Sequence, residues 1–208
     1  MSLQEHFTSR IIGKMIIRAK ITSLTNLLIA TGDDTIFDFE LVRDGNGNPF
    51  IPGSSFAGML RDYFFKLADL SGCEKLAEIL WGTEMGKTEY SYQSHLVVDD
   101  LLSVPGTWTT ANRDGVKIEY ETSVSENKYN YEFVNPGCVF TMNLEITLRE
   151  GMDANKVKRF VKFIVEAGTG RKYYQGAFTT HSFGLLEWTD PEFYFFDFTN
   201  LKSNMAED

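Results

Sequence analysis

The chain has 208 residues, 43% hydrophobic content, 14% aromatic content and a formal net charge of −9 at pH 7. This composition suits one packed domain, and no apolar run of about 18 residues predicts a membrane-spanning helix. No zinc-ligand spacing, Walker loop or nucleophile elbow is present. The net acidity argues against a uniformly basic nucleic-acid surface. Residues 1–6 lack a signal-peptide core, and Cys73 and Cys138 are far apart, so we expect reduced cysteines in a cytoplasmic protein.

The first predicted elements are a strand and an acidic loop. In residues 11–30, Ile17, Ala19 and Ile21 alternate with charged residues, which is typical of a half-buried strand. The segment that follows concentrates five carboxylates in a short stretch. They are Asp33, Asp34, Asp38, Glu40 and Asp44.

A tight turn and an amphipathic helix come next. Asn46-Gly47 predicts a type I′ turn, because both central positions of that turn need positive φ. Pro52-Gly53 then stops the extended chain, and Ser54 and Ser55 offer a hydroxyl N-cap. Free N–H groups at such a helix start favour a phosphate, although a plain connection between strand and helix is the alternative. Apolar residues at helical spacing form one face: Phe56, Met59, Leu60, Tyr63, Phe64 and Leu67.

The middle of the chain predicts a short helix at residues 73–80 and an apolar strand at residues 95–102. Residues 111–148 predict a long hairpin, with a polar tip at residues 123–127 and a closing strand that begins at Val139. Three hairpin tyrosines are placed to pack across the strands. They are Tyr120, Tyr129 and Tyr131.

The C-terminal third begins with a second amphipathic helix. Asp153 can cap this helix, and Gly168 is placed to end it. A loop at residues 176–186 offers hydroxyls and backbone N–H groups to a phosphate. The aromatic run at residues 193–198 predicts an edge or docking strand, which a native assembly should cover.

Residues 49–61, Pro-Phe-Ile-Pro-Gly-Ser-Ser-Phe-Ala-Gly-Met-Leu-Arg, resemble the signature of the RAMP superfamily. Members of that family form the backbones of CRISPR effector complexes. The signature typically reads Ile-Pro-Gly-Ser-Ser, an apolar residue, Lys, Gly, two variable positions and Arg. Ala57 stands at the lysine position, so one expected phosphate contact is missing. Weaker similarities follow in the family's order, namely Leu80-Trp81-Gly82, a strand that carries aspartate, the central hairpin and the late loop.

The resemblance implies an α+β, ferredoxin-like (RRM-like) fold with a βαββαβ core. We expect a single domain over residues 1–190, with a lid insertion at about residues 73–110 and a thumb hairpin at about residues 111–148. Residues 191–208 are expected to form an acidic, aromatic C-terminal tail.

The resemblance also implies a function in CRISPR RNA-guided antiviral defence. The expected partners are guide RNA, target RNA and other effector subunits, with copies of the chain stacked along the guide and no membrane contact. In the family the hairpin tip is a thumb that enters the guide–target duplex, so stacking of the three hairpin tyrosines on bases, at about 1–3 kcal/mol per base, is the alternative to cross-strand packing. The late loop lacks the extra glycines and the arginine that the family usually has there, but its hydroxyls and N–H groups still suit a phosphate. Eight positions are expected to contact RNA. They are Gly53, Ser54, Ser55, Arg61, Arg113, Thr179, Thr180 and His181.

A catalytic position is also implied. Type III backbone subunits cut target RNA with a divalent metal and an aspartate in the loop after the first strand, and the matching position here is Asp38. A carboxylate there would bind Mg²⁺ or another divalent cation near the scissile phosphate. Two alternatives stay open. One is a non-catalytic guide-binding subunit, and the other is a metal-independent guide-processing endoribonuclease with His181 as its general base.

Overall fold

The computed structural model describes residues 9–30, 39–71, 74–82, 93–119 and 122–199. Among these residues, no helix is both long and apolar enough to cross a membrane. The elements follow in chain order: β1 (Ile11–Ser23), β2 (Phe50–Ile51), α1 (Gly53–Ser71), α2 (Glu74–Trp81), β3 (Leu96–Val98), β4 (Leu101–Ser103), β5 (Thr110–Glu119), β6 (Thr122–Val134), β7 (Val139–Arg149), α3 (Ala154–Thr169), β8 (Tyr173–Tyr174), a 3-10 turn (Thr179–His181) and β9 (Leu185–Asp197).

Within the described residues, the main sheet has seven strands in the order β2-β4-β7-β1-β9-β8, and β3 also pairs with β7. All of these pairings are antiparallel. The four principal sheet positions are occupied by β9, β1, β7 and the short strands β3 and β4. Helix α1 follows the first strand of the chain, and α3 links β7 to β9. This is the βαββαβ order of a ferredoxin-like fold, so the predicted α+β class is confirmed.

Strand alternation and helical periodicity together build the core. In β1, Met15, Ile17 and Ile21 are buried, and the strand pairs with β7 along most of its length. Each large apolar side chain buried in this way contributes about 1.5–3 kcal/mol. Apolar residues of helices α1 and α3 belong to the same core, as their spacing predicts. They are Phe56, Leu60 and Phe64 from α1, and Val157, Val161, Ile164 and Val165 from α3.

Helix α3 confirms one predicted end and corrects the other. The Asp153 carboxylate accepts hydrogen bonds from the N–H groups of Asn155 and Lys156, as expected of an N-cap. The helix does not end at Gly168, because Thr169 is still helical and Gly170 is the C-cap. A Cβ at Gly168 would collide with the Trp188 indole, so this glycine permits close packing of α3 on β9.

The predicted strand at residues 95–102 is divided into two short strands. β3 pairs with β7 opposite Ile146, whereas β4 pairs further along β7, opposite Thr141. Asp99 and Asp100 lie between them, and the Asn143 side-chain amide donates to the Asp99 carboxylate at 2.7 Å. The two aspartates therefore interrupt the strand.

The central hairpin is a separate two-stranded sheet formed by β5 and β6. Its paired strands cover less than the predicted residues 111–148, because β7 belongs to the main sheet. Glu119 pairs with Thr122, so residues 123–127 lie within β6 and not at the predicted polar tip. The register shifts between Val116 and Ile118, and extra β6 residues are accommodated there.

The turn at Asn46-Gly47 also differs from the predicted type I′ geometry. Gly47 has a φ of +83°, whereas Asn46 is absent from the described residues with positive φ. The Asp44 carboxylate explains the difference, because it accepts hydrogen bonds from the N–H groups of Asn46 at 2.9 Å and Asn48 at 2.8 Å. The Gly47 N–H also donates to the Asp44 carbonyl at 3.0 Å, so the backbone turn starts at Asp44 and the Asp44 carboxylate reinforces it.

Two further predictions concern the end of the chain and the cysteines. The aromatic run is the second half of β9 and is exposed, as predicted for an edge strand. Cys138 is a free, buried thiol, and its burial raises its pKa to about 11. Cys73 lies outside the described residues.

Candidate nucleic-acid interface

Helix α1 begins one residue before the serines that were predicted to cap it. The Phe56 N–H donates to the Pro52 carbonyl at 3.0 Å, which makes Pro52 the N-cap. Ser54 and Ser55 are therefore exposed residues of the first turn, and the predicted hydroxyl N-cap is wrong. The Asp100 carboxylate accepts the Gly53 N–H at 2.8 Å, so a distant side chain satisfies the first free donor of the helix.

Gly53 has a packing role at this helix start. A Cβ there would collide with the Val98 carbonyl oxygen and approach the Asp99 backbone. The glycine therefore allows α1 to begin directly against the connection between β3 and β4. Because the Gly53 N–H already donates its hydrogen bond to Asp100, an incoming phosphate would have to bind the hydroxyls of Ser54 and Ser55 and the N–H groups of the next residues.

A buried glutamine joins this helix start to the late loop. The Gln175 side-chain amide donates to the Ser55 hydroxyl at 2.8 Å, although 120 positions separate the two residues. Gln175 is only 3% exposed. The signature segment and the late loop, predicted separately as phosphate-binding elements, are therefore neighbours.

The late loop has an unusual and well-anchored backbone. The Ala177 N–H donates to the Leu28 carbonyl, and the Gly184 N–H donates to the Asn26 carbonyl. Between these anchors lies the 3-10 turn, which contains all three predicted loop contacts: Thr179, Thr180 and His181. The turn is flanked by Phe178 at φ +57° and Ser182 at φ +64°. Non-glycine residues in this region are uncommon and occur where the surroundings hold them in place.

Phe178 is the centre of an aromatic cluster built from three separate segments. Its ring centroid lies 5.7 Å from that of Phe39, 6.1 Å from that of Tyr129 and 5.8 Å from that of His181. The Tyr129 and His181 rings each stack on the Phe178 ring. The end of the acidic loop, the hairpin base and the late loop therefore meet at one place. We call this set the Phe178 cluster: Phe39, Tyr129, Tyr131, Phe178, His181 and Phe183.

The cluster shows which tyrosines pack within the protein. Tyr131 is buried, and its ring contacts the rings of Phe133 on the same strand and Phe183 of the late loop, so it packs within the protein against these two segments. The Tyr129 ring lies across Gly115, where a Cβ would collide with it, but Tyr129 remains partly exposed. His181 is exposed at the edge of the cluster. Tyr120 lies outside the described residues.

The predicted catalytic and metal-binding residue, Asp38, lies outside the described residues, as do Asp33 and Asp34. The next residue in the chain, Phe39, is held at the hairpin base. Its N–H donates to the Asn130 carbonyl at 3.2 Å, and its carbonyl accepts the Glu132 N–H at 3.1 Å. Within the part of the chain that the structure describes, no three metal-ligating side chains converge.

The two predicted arginines lie apart from the helix start. Arg61 is two turns along α1, about 10 Å from Ser54 along the helix axis, and its guanidinium lies 5.3 Å from the Phe65 ring. Arg113 is exposed on β5, with its guanidinium 5.6 Å from the Phe133 ring. Arg113 therefore adjoins the Phe178 cluster, whereas Arg61 lies two turns further along α1.

Two residues that the sequence did not single out connect distant parts of the chain near the proposed site. Arg43 forms an ion pair with the largely buried Glu132 at 2.6 Å and donates to the Gly47 carbonyl at 2.8 Å. This pair spans 89 positions and ties the Asp44 turn to β6. Gln175 is the second such residue. Neither has a local sequence pattern that would reveal its partner.

The model of the RAMP superfamily matches residues 20–187 of this chain. Two chains from solved structures have a similar fold. One, from a cryo-EM structure of the Type III-B Cmr-beta bound to cognate target RNA, is 17% identical, with a TM-score of 0.61, and the match covers 87% of the present chain and 61% of that chain. The other, from the apo state of Type III-B Cmr-beta, is 10% identical, with a TM-score of 0.64 and coverages of 84% and 96%. No curated protein matches.

Proposed function

The chain belongs to the RAMP superfamily, and we propose that it is a guide-RNA-binding backbone subunit of a type III CRISPR effector in antiviral defence. One observation carries the proposal. The signature helix start, the late loop and the hairpin base are distant in sequence, yet the Gln175–Ser55 hydrogen bond and the Phe178 cluster bring them together. A chain of similar fold occurs in an effector structure bound to target RNA, which agrees with this role.

The proposed division of work follows from the side chains. The hydroxyls of Ser54 and Ser55 and nearby backbone N–H groups contact guide phosphates, which fixes the path of the RNA without reading its sequence. The exposed His181 ring, supported from behind by Phe178, offers a surface on which a base can stack. Arg113 adds a positive charge beside the hairpin base.

Binding by one subunit should be weak. The chain has a net charge of −9, and Ala57 replaces the lysine of the family pattern. The Asp100 carboxylate also lies at the α1 start, where it opposes the attraction of the helix dipole for a phosphate. Copies stacked head to tail along one guide would compensate, because such contacts propagate. We expect light scattering to show monomers alone and growing assemblies on long RNA, and monomers under both conditions would contradict this.

Guide contact at the α1 start is tested by adding a charge there. Ser54→Glu should weaken binding to RNAs of different sequence to a similar extent, because a carboxylate repels phosphate at any sequence. Asn155→Glu is the matched control, since Asn155 has the same second position in α3. The measurement is fluorescence anisotropy over a salt titration. Equal affinities for the two variants would remove this site from the proposal.

A second candidate function is cutting of target RNA, with Asp38 as the catalytic residue and Mg²⁺ or another divalent cation as cofactor. The observation that favours it is the position of Phe39, which β6 holds at the hairpin base directly after Asp38. The test is Asp38→Ala in an assembled complex with guide and matched target, with and without chelator. We expect the Asp38 variant to lose cutting while it still binds the target. Asp190→Ala is the control, because it removes an exposed carboxylate on β9, and a complex with this variant should cut normally.

The same assay separates the alternatives. Full cutting by the Asp38 variant would contradict the catalytic role. No metal-dependent cutting by the parent chain would indicate the non-catalytic guide-binding subunit. Chelator-resistant cutting of repeat RNA that disappears in His181→Ala would indicate a guide-processing endoribonuclease.

A further inference from the structure

The second half of β9 has an open edge, on the side of the strand that faces away from β1. Residues 193–197 pair with β1 on one side, where Phe193 lies opposite Ile17 and Asp197 lies opposite Gly13. On the other side, β8 pairs only with Leu185 and Leu186. Within the described ranges, the outer edge of residues 193–197 therefore has no strand partner.

The backbone of this edge is oriented for a further strand. The Phe198 N–H donates to the Ile12 carbonyl, so residue 198 directs its backbone groups toward β1. The N–H and C=O groups of successive strand residues point alternately to the two sides of the strand. Residues 194 and 196 therefore also direct these groups toward β1, whereas residues 193, 195 and 197 direct theirs outward. Three residues thus present donors and acceptors to an incoming chain.

Four consecutive aromatic residues follow this edge, and we call them the β9 row: Phe193, Tyr194, Phe195 and Phe196. Their side chains are 39–51% exposed. Phe193 and Phe195 lie opposite the buried residues Ile17 and Met15, so they point to the helix side of the sheet. A groove of about 320 Å³ lies there between β9 and α3, and Val161 forms part of its wall.

The charges beside the groove are positive. Lys158 and Lys162 line it, and none of the described residues that line it carries a carboxylate. The Lys158 ammonium lies 4.1 Å from the centre of the Phe195 ring, and Lys162 is 3.8 Å from Glu166 on its own helix. An occupant that supplies carboxylates opposite these two lysines would complement the groove.

We propose that the edge at residues 193–197 binds an extended segment of another protein whose groove-facing positions carry both apolar side chains and carboxylates. The segment adds a strand to β9. Those of its residues that face the helix side of the sheet place apolar side chains in the groove and carboxylates opposite Lys158 and Lys162. This surface lies apart from the Phe178 cluster, and the proposal does not depend on guide binding.

Two other occupants fit the surface less well. A second copy of this chain that paired through its own β9 would bring a single carboxylate, Asp197, on the side of the strand that carries Phe193 and Phe195. It would also bring its own Lys158 and Lys162, which would repel the first pair of lysines. An RNA would leave the outward backbone groups of residues 193, 195 and 197 without a strand partner.

The test uses the full chain and a fluorescein-labelled peptide in which valine and glutamate occupy every second position in turn, with serine between them, so that both side chains lie on one face of the strand. Anisotropy should show binding that is about tenfold tighter than that of the same peptide with lysine in place of glutamate. The double variant K158E/K162E should reverse this preference. The double variant K156E/R159E is the control, because Lys156 and Arg159 lie on the same helix but do not line the groove.

Backbone pairing is tested separately from the aromatic contact. Phe195→Pro removes the outward N–H as well as the ring, so it should abolish peptide binding, whereas Phe195→Ala should only weaken it. Phe163→Ala removes an exposed aromatic outside the groove and should leave binding unchanged.

Three results would overturn the proposal. The first is equal binding, or no binding, of the acidic and basic peptides at millimolar concentration. The second is a self-dimer in sedimentation that Phe195→Pro dissociates. The third is an RNA affinity that falls in Phe195→Pro.

Discussion

The Phe178 cluster and the β9 row are both rich in aromatic residues, but they differ in what surrounds them. In the cluster, rings from three chain segments cover one another at centroid distances of 5.0–6.1 Å. In the β9 row, consecutive rings alternate between the two faces of one strand, and each remains about half exposed. Aromatic content therefore does not distinguish a packed support from a docking surface, whereas the contacts between distant segments do.

The difference has a physical origin in strand geometry. Consecutive residues of a strand point to opposite faces, so four neighbouring aromatics cannot cover each other. Rings contributed by separate segments can converge on one side and exclude water. We infer that the Phe178 cluster stabilises the folded chain, whereas the β9 row depends on a partner for burial.

The largest expected effect contrasts the centres of the two regions. Phe178→Ala should lower the free energy of unfolding by about 2–4 kcal/mol, because it leaves a cavity among several rings. Phe195→Ala should change it by less than about 0.5 kcal/mol. Urea denaturation followed by circular dichroism measures both. Similar values for the two variants would remove the distinction between the regions.

Ion pairs near the two regions provide a second contrast. Arg43→Ala leaves the largely buried Glu132 without its partner and should cost about 1–3 kcal/mol of unfolding free energy. Lys20→Ala breaks an exposed pair with Asp190 and should cost about 0–0.5 kcal/mol. The same urea titrations apply, and a larger loss for the Lys20 variant would argue against the hairpin base as a stabilising centre.

RNA affinity should also separate the regions. His181→Ala removes the exposed ring that Phe178 supports and should weaken RNA binding by about 1 kcal/mol, the lower end of a stacking contribution. Tyr194→Ala removes an exposed ring of the β9 row and should leave RNA binding unchanged. Anisotropy with one labelled RNA measures both affinities. A loss confined to the Tyr194 variant would exchange the roles proposed for the two surfaces.

The smallest expected effect is on the pH dependence of stability. One carboxylate is informative near each region, namely Asp44 in the turn tied to the hairpin base and Asp197 at the end of the β9 row. Hydrogen bonds from Asn48, first from its side chain and then from its backbone, hold the pKa of Asp44 below its usual value. Hydrogen bonds from Thr199 lower the pKa of Asp197 in the same way. A lowered folded-state pKa adds stability above the unfolded-state value, near 3.8, and this stability is lost as pH falls through the folded-state value.

Substitution of either carboxylate tests this dependence. Asp44→Asn and Asp197→Asn should each flatten the loss of stability below about pH 4, as measured by urea midpoints over a pH series. The double variant should be flatter than either single variant, because the two sites lie in different parts of the fold. An unchanged pH profile in Asp44→Asn would contradict the turn seen at this residue.

Three local predictions from the sequence were wrong. The hydroxyl cap at Ser54, the turn type at Asn46 and the helix end at Gly168 were each read from neighbouring residues. At the helix start and the helix end, the Asp100 carboxylate and the Trp188 indole approach from elsewhere in the chain, and a short sequence pattern cannot include side chains that arrive through tertiary packing. At the turn the reason is local, because the Asp44 carboxylate accepts the N–H groups of Asn46 and Asn48.

The sequence by itself determined the elements whose signals are local and repeated. Alternation placed β1 and β7, apolar residues at helical spacing placed α1 and α3, and the signature at residues 49–61 identified the family. Such signals are contained within one strand or a few helical turns, so no distant contact is needed to read them.

Only the tertiary structure decided which elements meet. The Gln175–Ser55 bond spans 120 positions, the Arg43–Glu132 pair spans 89, and Phe39 pairs with Tyr131 of β6. The same is true of the open edge of β9, which exists because β8 is too short to cover it. Contacts of this kind depend on how the whole chain packs, and many partners are compatible with any single segment, so the residues on either side of a contact do not specify it.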